Sequence, residues 1–347
     1  MGNSIVILLA MTVANWQSPR LEIGNYDVVI PLGGERATTN VVKFAGRRLA
    51  AERIVTAAGE KKDFAFTARV PGPVNRSKNG EFSLKLSVFT EDGEGGKYAL
   101  TPKVTPAPDS STIYLCGDST VTDQQREPWG SWGQILPAFI KSGWACSNFA
   151  RSGLAMSTFE SDNRLNRILE HLKAGDWVLV QFGHNDQKRE GEEPENGYTR
   201  RYGEWYEKFK AKGAYLVVIS PCERRRFENG VHGEKTLAGY AQAAKAFAEK
   251  NKLPFIDLND ITYQMHEKLG EKGTLPLQVN NKGKIDNTHH TIFGAYVNAR
   301  IVASHLSAIP GIGAAIREEY REYDPFCPVN PKIPPSGKVD WTKPEGN

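Results

Sequence analysis

The chain has 347 residues, 39% of them hydrophobic and 24% charged, which is the make-up of an ordinary globular protein with enough length for two domains. A net charge of +4 is mild for this length and supports neither a nucleic-acid footprint nor attachment to a membrane surface. Cys116, Cys146, Cys222 and Cys327 show no CxxC or metal-finger spacing, which argues against a zinc site and against a disulfide framework.

The first apolar run, Ile5 to Ala10, has no basic residue ahead of it and no clean small-x-small site behind it, and it is too short to span a bilayer. It reads as a strand of the first domain or as the remnant of a signal sequence. Residues 25 to 89 alternate apolar and polar positions. In "DFAFTARV", Phe64, Phe66, Ala68 and Val70 fall on one face, and in "FSLKLSVF", Phe82, Leu84, Leu86 and Val88 do the same. With "LGGE" and "SKNGE" as turns, this predicts a small antiparallel β-sandwich. The stretch "TPKVTPAPDSS", near residues 101 to 111, carries three prolines and no apolar period, so it reads as a linker.

After the linker the period changes. Short apolar runs at Thr112 to Leu115, Trp177 to Phe182, Tyr215 to Ile219 and Pro254 to Leu258, with a weaker one at Ala145 to Ala150, alternate with helical stretches. One helix is marked by the stripe Leu237, Tyr240, Ala241, Ala244, Phe247 and Ala248, another by Tyr296, Ala299, Ala303 and Leu306. Strands buried on both faces between helices imply a parallel sheet in a three-layer α/β/α domain. Cys116 and Cys146 lie inside such strands and read as buried thiols. The tail from Asp324 is proline-rich and is expected to run extended over the surface.

In a parallel sheet the ligand site lies beyond the carboxyl ends of the strands. The residues found there are Asp118 and Ser119, then "NFARSG" with Gly153, then "GHND" with His184, Asn185 and Asp186, then "SPCERRR"; near the C-terminus follows "DNTHHTIFGA" with Asp286, His289 and His290. Ester hydrolysis needs a nucleophile, a base, a group orienting the base, and donors for the tetrahedral oxyanion. Ser119 is the candidate nucleophile, His289 the base, and Asp286, three residues earlier in the same loop, its orienting partner. The Ser119 and Gly153 backbone N–H groups and the Asn185 amide are the candidate oxyanion donors. His184 is read as a pin for the loop that presents Asn185, and Asp118 as a stabiliser of its turn. On spacing alone the base could be His289 or His290.

Gly117-Asp118-Ser119, then Gly153, then Gly183-His184-Asn185-Asp186, then Asp286-Asn287-Thr288-His289, in that order, resemble the four blocks of the SGNH (GDSL-like) hydrolases. The form GDST, "QFGHND" and "DNTHHTIFGA" look most like the rhamnogalacturonan acetylesterase branch. The resemblance covers roughly residues 112 to 310. It implies a flavodoxin-like fold with a five-stranded parallel sheet, the triad Ser119, Asp286 and His289, and no metal or organic cofactor. Its DxxH spacing selects His289 over His290. The expected division is an accessory or galactose-binding-like sandwich over residues 1–104 and a catalytic domain with a Pro-rich tail over 105–347.

The activity implied is removal of acetyl groups from a plant cell-wall polysaccharide, pectic rhamnogalacturonan first. Alternatives are another acyl substrate (acetylxylan, peptidoglycan or a lipid ester) or a silent carbohydrate-binding protein. An acetylated polysaccharide or oligosaccharide is the expected partner, without nucleic acid or membrane insertion, and export to the periplasm or cell exterior is expected although no clear signal peptide is present. Arg224, Arg225 and Arg226, with Lys188 or Arg189, are candidates for pairing with uronate carboxylates. Trp129 and Trp132 are candidates for a sugar platform or for core.

Overall fold

A computed structural model describes residues 11–77, 79–91 and 100–336, so the run Ile5 to Ala10 lies outside the described residues. Seven strands come first: β1 (Met11–Gln17), β2 (Gly24–Gly33), β3 (Thr38–Phe44), β4 (Arg48–Thr56), β5 (Lys61–Val70), β6 (Lys85–Glu91) and β7 (Lys103–Pro106). Strands β1, β6, β3 and β4 form one antiparallel sheet in that order. The alternation seen in the sequence builds the core between this sheet, through β6, and β5, which belongs to the other sheet. Phe64, Phe66, Ala68 and Val70 of β5 share a core with Val42 and Phe44 of β3 and with Leu86 and Val88 of β6.

The remaining elements follow: β8 (Ser111–Gly117), β9 (Trp129–Gly130), α1 (Trp132–Ile135), β10 (Trp144–Asn148), α2 (Met156–Ser161), α3 (Arg164–His171), β11 (Trp177–Gln181), α4 (Thr199–Ala211) and β12 (Tyr215–Ile219). After these come the short pair β13 (Phe227–Glu228) and β14 (Val231–His232), then α5 (Ala238–Asn251), β15 (Phe255–Ile256), α6 (Leu258–Thr274), β16 (Gln278–Asn281), β17 (Lys284–Thr291) and α7 (Ile292–Ser307). Strands β15, β12, β11, β8 and β10 are mutually parallel. Alternate residues face opposite layers, Ile113 and Leu115 toward the core containing α7, Tyr114 and Cys116 toward the core of α4 and α5. The order of strands reverses at β8, between β10 and β11, and such a switch point opens a crevice at the strand ends.

The parallel strands do not form a sheet of their own. β10 also pairs in parallel with β5, and β5 continues antiparallel to β2 and β2 to β7, which makes one mixed sheet of eight strands, β15-β12-β11-β8-β10-β5-β2-β7. Joining β10 to β5 covers two edges that would otherwise be open to foreign strands. β7 lies inside the stretch expected as linker. Its prolines were read as breakers, but Pro106 ends an edge strand, where its missing N–H leaves the pairing intact: Ala107 N still donates to Asn25 O at 2.8 Å. The second face of the sheet β1-β6-β3-β4 is covered in part, because Val41, Leu49 and Phe89 turn away from the sandwich core and join the core of α1 and α7, while Met11, Val13 and Val55 stay exposed.

The tail from Asp324 to Ser336 has no helix or strand. Pro334 and Ser336 of this stretch lie against β3, where Lys43 Nζ donates to Pro334 O and, at 2.9 Å, to Ser336 Oγ. Among the described residues no helix is long and apolar enough to cross a membrane.

Candidate active site

Ser119 stands two residues beyond β8. Gly117 lets the strand end abruptly: a Cβ there would lie 2.4 Å from Val121 Cγ2 and 2.9 Å from Gln181 O, so only glycine permits the close approach. The turn is held by Asp118, whose carbonyl accepts from Val121 N (3.2 Å) and Thr122 N (3.0 Å) and whose Oδ1 accepts from Thr120 N (2.9 Å) and Thr120 Oγ1 (2.8 Å). Its other oxygen, Oδ2, lies 3.3 Å from Nδ1 of the buried His184. Burial raises the Asp118 carboxyl, but His184 and the Thr120 donors outweigh it and hold the carboxyl below its ordinary value. His184 thus links the loop after β11 to the turn after β8.

Asp286 and His289 sit in strand β17, not in a loop. β17 lies between β16 and β9 in a three-stranded sheet beside the main one. The strand is bent locally, because Asp286 Oδ1 accepts from Thr288 N (2.9 Å) and His289 N (3.0 Å). Asp286 Oδ2 is 2.8 Å from His289 Nδ1, and His289 Nε2 is 2.9 Å from Ser119 Oγ. Burial raises the Asp286 carboxyl, yet the His289 hydrogen bond and the two backbone donors pull it well below the ordinary carboxylate range. Carboxylate, imidazole and hydroxyl therefore form an unbroken relay able to draw the proton from Oγ. His290 points to the other side of β17, is buried, and bonds Asn298 Nδ2 at 3.2 Å. Burial, with His289 and His184 nearby, lowers His290 to about 3.

Gly153 follows β10 with φ +84, a conformation that favours glycine. Its loop is tied to the Ser119 turn by Arg151 N donating to Gly117 O at 3.2 Å. Asn185 Nδ2 donates to Leu154 O at 3.1 Å, next to Gly153, and Lys188 Nζ donates to Asn185 Oδ1 at 3.3 Å. A carbonyl on one side and an ammonium on the other fix which end of the amide is nitrogen, leaving its second N–H for a ligand. Among the described residues neither the Ser119 nor the Gly153 N–H has a hydrogen-bond partner.

The arginines separate. Arg225 was a candidate for substrate binding, but it is buried and occupied: Nε donates to Thr274 Oγ1 (2.9 Å), Nη2 to Glu271 O (2.8 Å), and its backbone N to Asn287 O (2.9 Å). It braces β17 from behind. Arg224 is half-buried beside the site, donating from Nε to Thr288 Oγ1 (3.2 Å) and from Nη1 to Thr236 Oγ1 (2.8 Å). Arg226 and Arg189 are exposed. Trp132 is core, its Nε1 donating to Gln181 Oε1 at 2.7 Å, whereas Trp129 is half-buried with the Arg126 guanidinium 4.7 Å above its ring.

Two residues were given no role in the sequence reading. Asp186 was visible only as the last letter of "GHND". It is buried and accepts from Met156 N (2.8 Å) and Gly183 N (2.9 Å), tying the Asn185 loop to the start of α2, and burial lifts its carboxyl to about 7. Gln278 carried no signal. With its amide nitrogen facing β17 it donates to Asp286 O (3.1 Å) and His289 O (2.9 Å), clamping both carbonyls of the relay.

The model of the GDSL-like lipase/acylhydrolase family matches residues 115–278, a span that holds Ser119, Gly153 and Asn185 and stops before Asp286. The chain is 34% identical over 208 residues to the rhamnogalacturonan acetylesterase RhgT of Bacillus subtilis strain 168, covering 57% of this chain and 90% of that protein. It is 31% identical over 202 residues to the probable rhamnogalacturonan acetylesterase YesY of the same organism, covering 57% and 93%. Among solved structures it is similar to the crystal structure of YxiM from Bacillus subtilis, with a TM-score of 0.55, 25% identity, and coverage of 86% of this chain and 81% of that one.

Proposed function

We propose that this chain, which belongs to the GDSL-like lipase/acylhydrolase family and is a carboxylic ester hydrolase, removes O-acetyl groups from a polysaccharide, with pectic rhamnogalacturonan as its substrate. The observation that carries the chemistry is the relay from Asp286 Oδ2 through His289 to Ser119 Oγ, with contacts of 2.8 and 2.9 Å. Ser119 Oγ attacks the acetyl carbonyl as Nε2 of His289 takes its proton. Asp286 keeps the remaining imidazole proton on Nδ1 and stabilises the imidazolium. The Ser119 and Gly153 N–H groups and Asn185 Nδ2 receive the oxyanion. His289 then gives that proton to the sugar oxygen as its bond to the acetyl carbon breaks, so the sugar leaves as a hydroxyl and acetyl-Ser119 remains. Water deprotonated by the same Nε2 releases acetate and restores the serine.

The choice of polymer rests on the identity to two proteins named as acetylesterases of rhamnogalacturonan, a polymer that bears uronate carboxylates. It rests also on the cations beside the relay: Arg224 on Thr288, one residue from His289, and Lys188 on Asn185. A guanidinium already fixed by two threonine hydroxyls loses little freedom on binding a carboxylate. The region over residues 1–104 we read as an accessory sandwich. An enzyme acting on so large a polymer works outside the cytoplasm.

Acetate release is to be compared on acetylated rhamnogalacturonan, acetylxylan and 4-nitrophenyl acetate. Preference for the pectic polymer is expected, and Ser119→Ala is expected to abolish all three activities. Equal or better turnover of acetylxylan overturns the choice of polymer. Arg224→Met is expected to lower kcat/KM on the pectic polymer and spare the aryl ester; equal losses on both overturn the uronate contact.

A further inference from the structure

The N-terminal region does more than pack against the sheet. The turn between β3 and β4, Ala45-Gly46-Arg47, has φ of +48 at Ala45 and +83 at Gly46. An alanine in this region is uncommon, and such a conformation persists where surrounding contacts determine it. Here the contacts are with the segment that follows the nucleophile. Arg47 Nη1 donates to Gln124 O, Nη2 donates to Trp129 O at 3.2 Å, and Nη2 lies 3.4 Å from Glu127 Oε1. The Arg47 carbonyl accepts from Gln134 Nε2 at 3.0 Å. One side chain and its carbonyl thus fasten the segment over residues 120 to 134, which includes β9 and the start of α1, at four points.

Two of the fastened points, Gln124 and Trp129, lead to the relay. Gln124 Nε2 donates to Ser119 O at 2.6 Å, so the residue held by Arg47 holds the nucleophile's own carbonyl. Trp129 pairs with Thr291 in the β9–β17 ladder, two residues beyond His289. The next residue, Arg48, is buried and bonds Asp123 Oδ2 at 2.7 Å. Asp123 Oδ1 accepts from Asn148 Nδ2 at 3.1 Å, at the end of the strand that leads to Gly153. The turn therefore touches the segments that carry the nucleophile, the base and one oxyanion donor.

We propose that Arg47 is a positioning residue for ester hydrolysis: from the N-terminal sheet it sets the Ser119 turn against His289, making that sheet a working part of the active site. The inference rests on the reading of Ser119 as nucleophile. A nucleophile displaced by a fraction of an ångström from its base loses turnover more than substrate affinity, because only the transition state needs the alignment.

The test measures kcat and KM on 4-nitrophenyl acetate, the thermal midpoint, and the second-order rate of serine labelling by a fluorophosphonate, in Arg47→Ala, Arg47→Lys, Gln124→Ala and Ser119→Ala. Arg47→Ala is expected to lower kcat and the labelling rate by about 10- to 100-fold with KM within about threefold of the parent. Arg47→Lys keeps the charge and restores part of the loss. Gln124→Ala gives a smaller loss in the same direction, and combining it with Arg47→Ala costs less than the product of the two, since both act on one contact to Ser119 O. A folded Arg47→Ala enzyme with kcat within about twofold of the parent overturns the inference. Should Arg47→Ala fail to fold, an unchanged kcat and labelling rate in Gln124→Ala overturns it instead. An active Ser119→Ala enzyme overturns the reading of the nucleophile, and an inactive one beside a fully active Arg47→Ala overturns the positioning role alone.

Discussion

Asp286→Asn is the sharpest perturbation of the relay, because the structure fixes how the new amide must sit. In the parent, Asp286 Oδ1 accepts two backbone N–H groups, from Thr288 at 2.9 Å and His289 at 3.0 Å, and Oδ2 faces His289 Nδ1 at 2.8 Å. An asparagine has one oxygen and one NH2 group. Turning the NH2 toward the backbone would set donors against donors and leave two N–H groups unpaired, at about 1–3 kcal/mol each. The oxygen therefore stays on the backbone and the NH2 faces Nδ1. Nδ1 must then accept, which moves the ring proton to Nε2, where it faces Ser119 Oγ at 2.9 Å. An imidazole in that tautomer cannot take the hydroxyl proton. The comparable carboxylate-to-amide change in a serine protease triad costs about 10⁴ in kcat, about 5.5 kcal/mol at 1.36 kcal/mol per decade. We expect a loss of that order in kcat on 4-nitrophenyl acetate, with KM little changed and with the backbone bonds of β17 intact. The assay is steady-state hydrolysis from pH 6 to 10, corrected for spontaneous release. A variant within about tenfold of the parent would refute the tautomer argument and with it the assigned order of the relay.

Asn185→Ala removes one oxyanion donor while leaving the relay in place, so kcat is expected to fall by about 10²–10³; a loss below about threefold in steady-state assays removes Asn185 from the oxyanion site. Arg48→Met leaves Asp123 without its partner in a largely buried ion pair, which is expected to cost about 3 kcal/mol in urea unfolding. Combining it with Asp123→Leu should recover part of that cost, and additive losses would contradict the pairing. Burial, with His232, His290 and Arg225 nearby, lowers His266 from 6.5 to about 3. The unfolded chain thus takes a proton on His266 as pH falls below 6.5 while the folded chain does not until about 3, so stability drops across that window. His266→Phe should flatten the fall of the thermal midpoint between pH 6.5 and 4, and an unaltered slope would show that His266 is not held neutral.

Much of the site is legible in the sequence because its parts stop strands. Gly117, Gly153 and the "GHND" string each follow an apolar run too short and too buried to be anything but a central strand, and the doubly wound rule places such strand ends on one rim. Asp286 and His289 were legible as a pair only through the DxxH block of the family resemblance, since spacing alone left His290 open, and not as residues of a strand. "DNTHHT" alternates no apolar face, since β17 earns its place from Gln278 and from the β9 segment, which no local pattern reveals. Arg225 shows the same limit from the other side. Three successive arginines read alike as candidates for a carboxylate, and only the tertiary partners Thr274 and Glu271 separate the buried one from its neighbours.

The least legible relation is the one that joins the two halves of the chain. Alternation in β5 and β6 foretells a sandwich, but an edge strand carries no mark of which foreign edge it will meet, and the pairing of Ala145 and Cys146 with Thr67 and Ala68 is written in neither segment. That pairing has a mechanical consequence. A sheet continuous from β7 to β15 ties the N-terminal strands to the strands whose ends carry Ser119 and Asn185, and the sheet β1-β6-β3-β4 packs against α1 through β4, with Val41, Leu49 and Phe89 in the same core as α1. Close-packed contact on two sides leaves the β3–β4 turn little freedom to shift relative to the parallel strands. A loop held by Arg47 is then held by the whole scaffold, which is the condition under which a hydrogen bond to Ser119 O can set the position of Oγ.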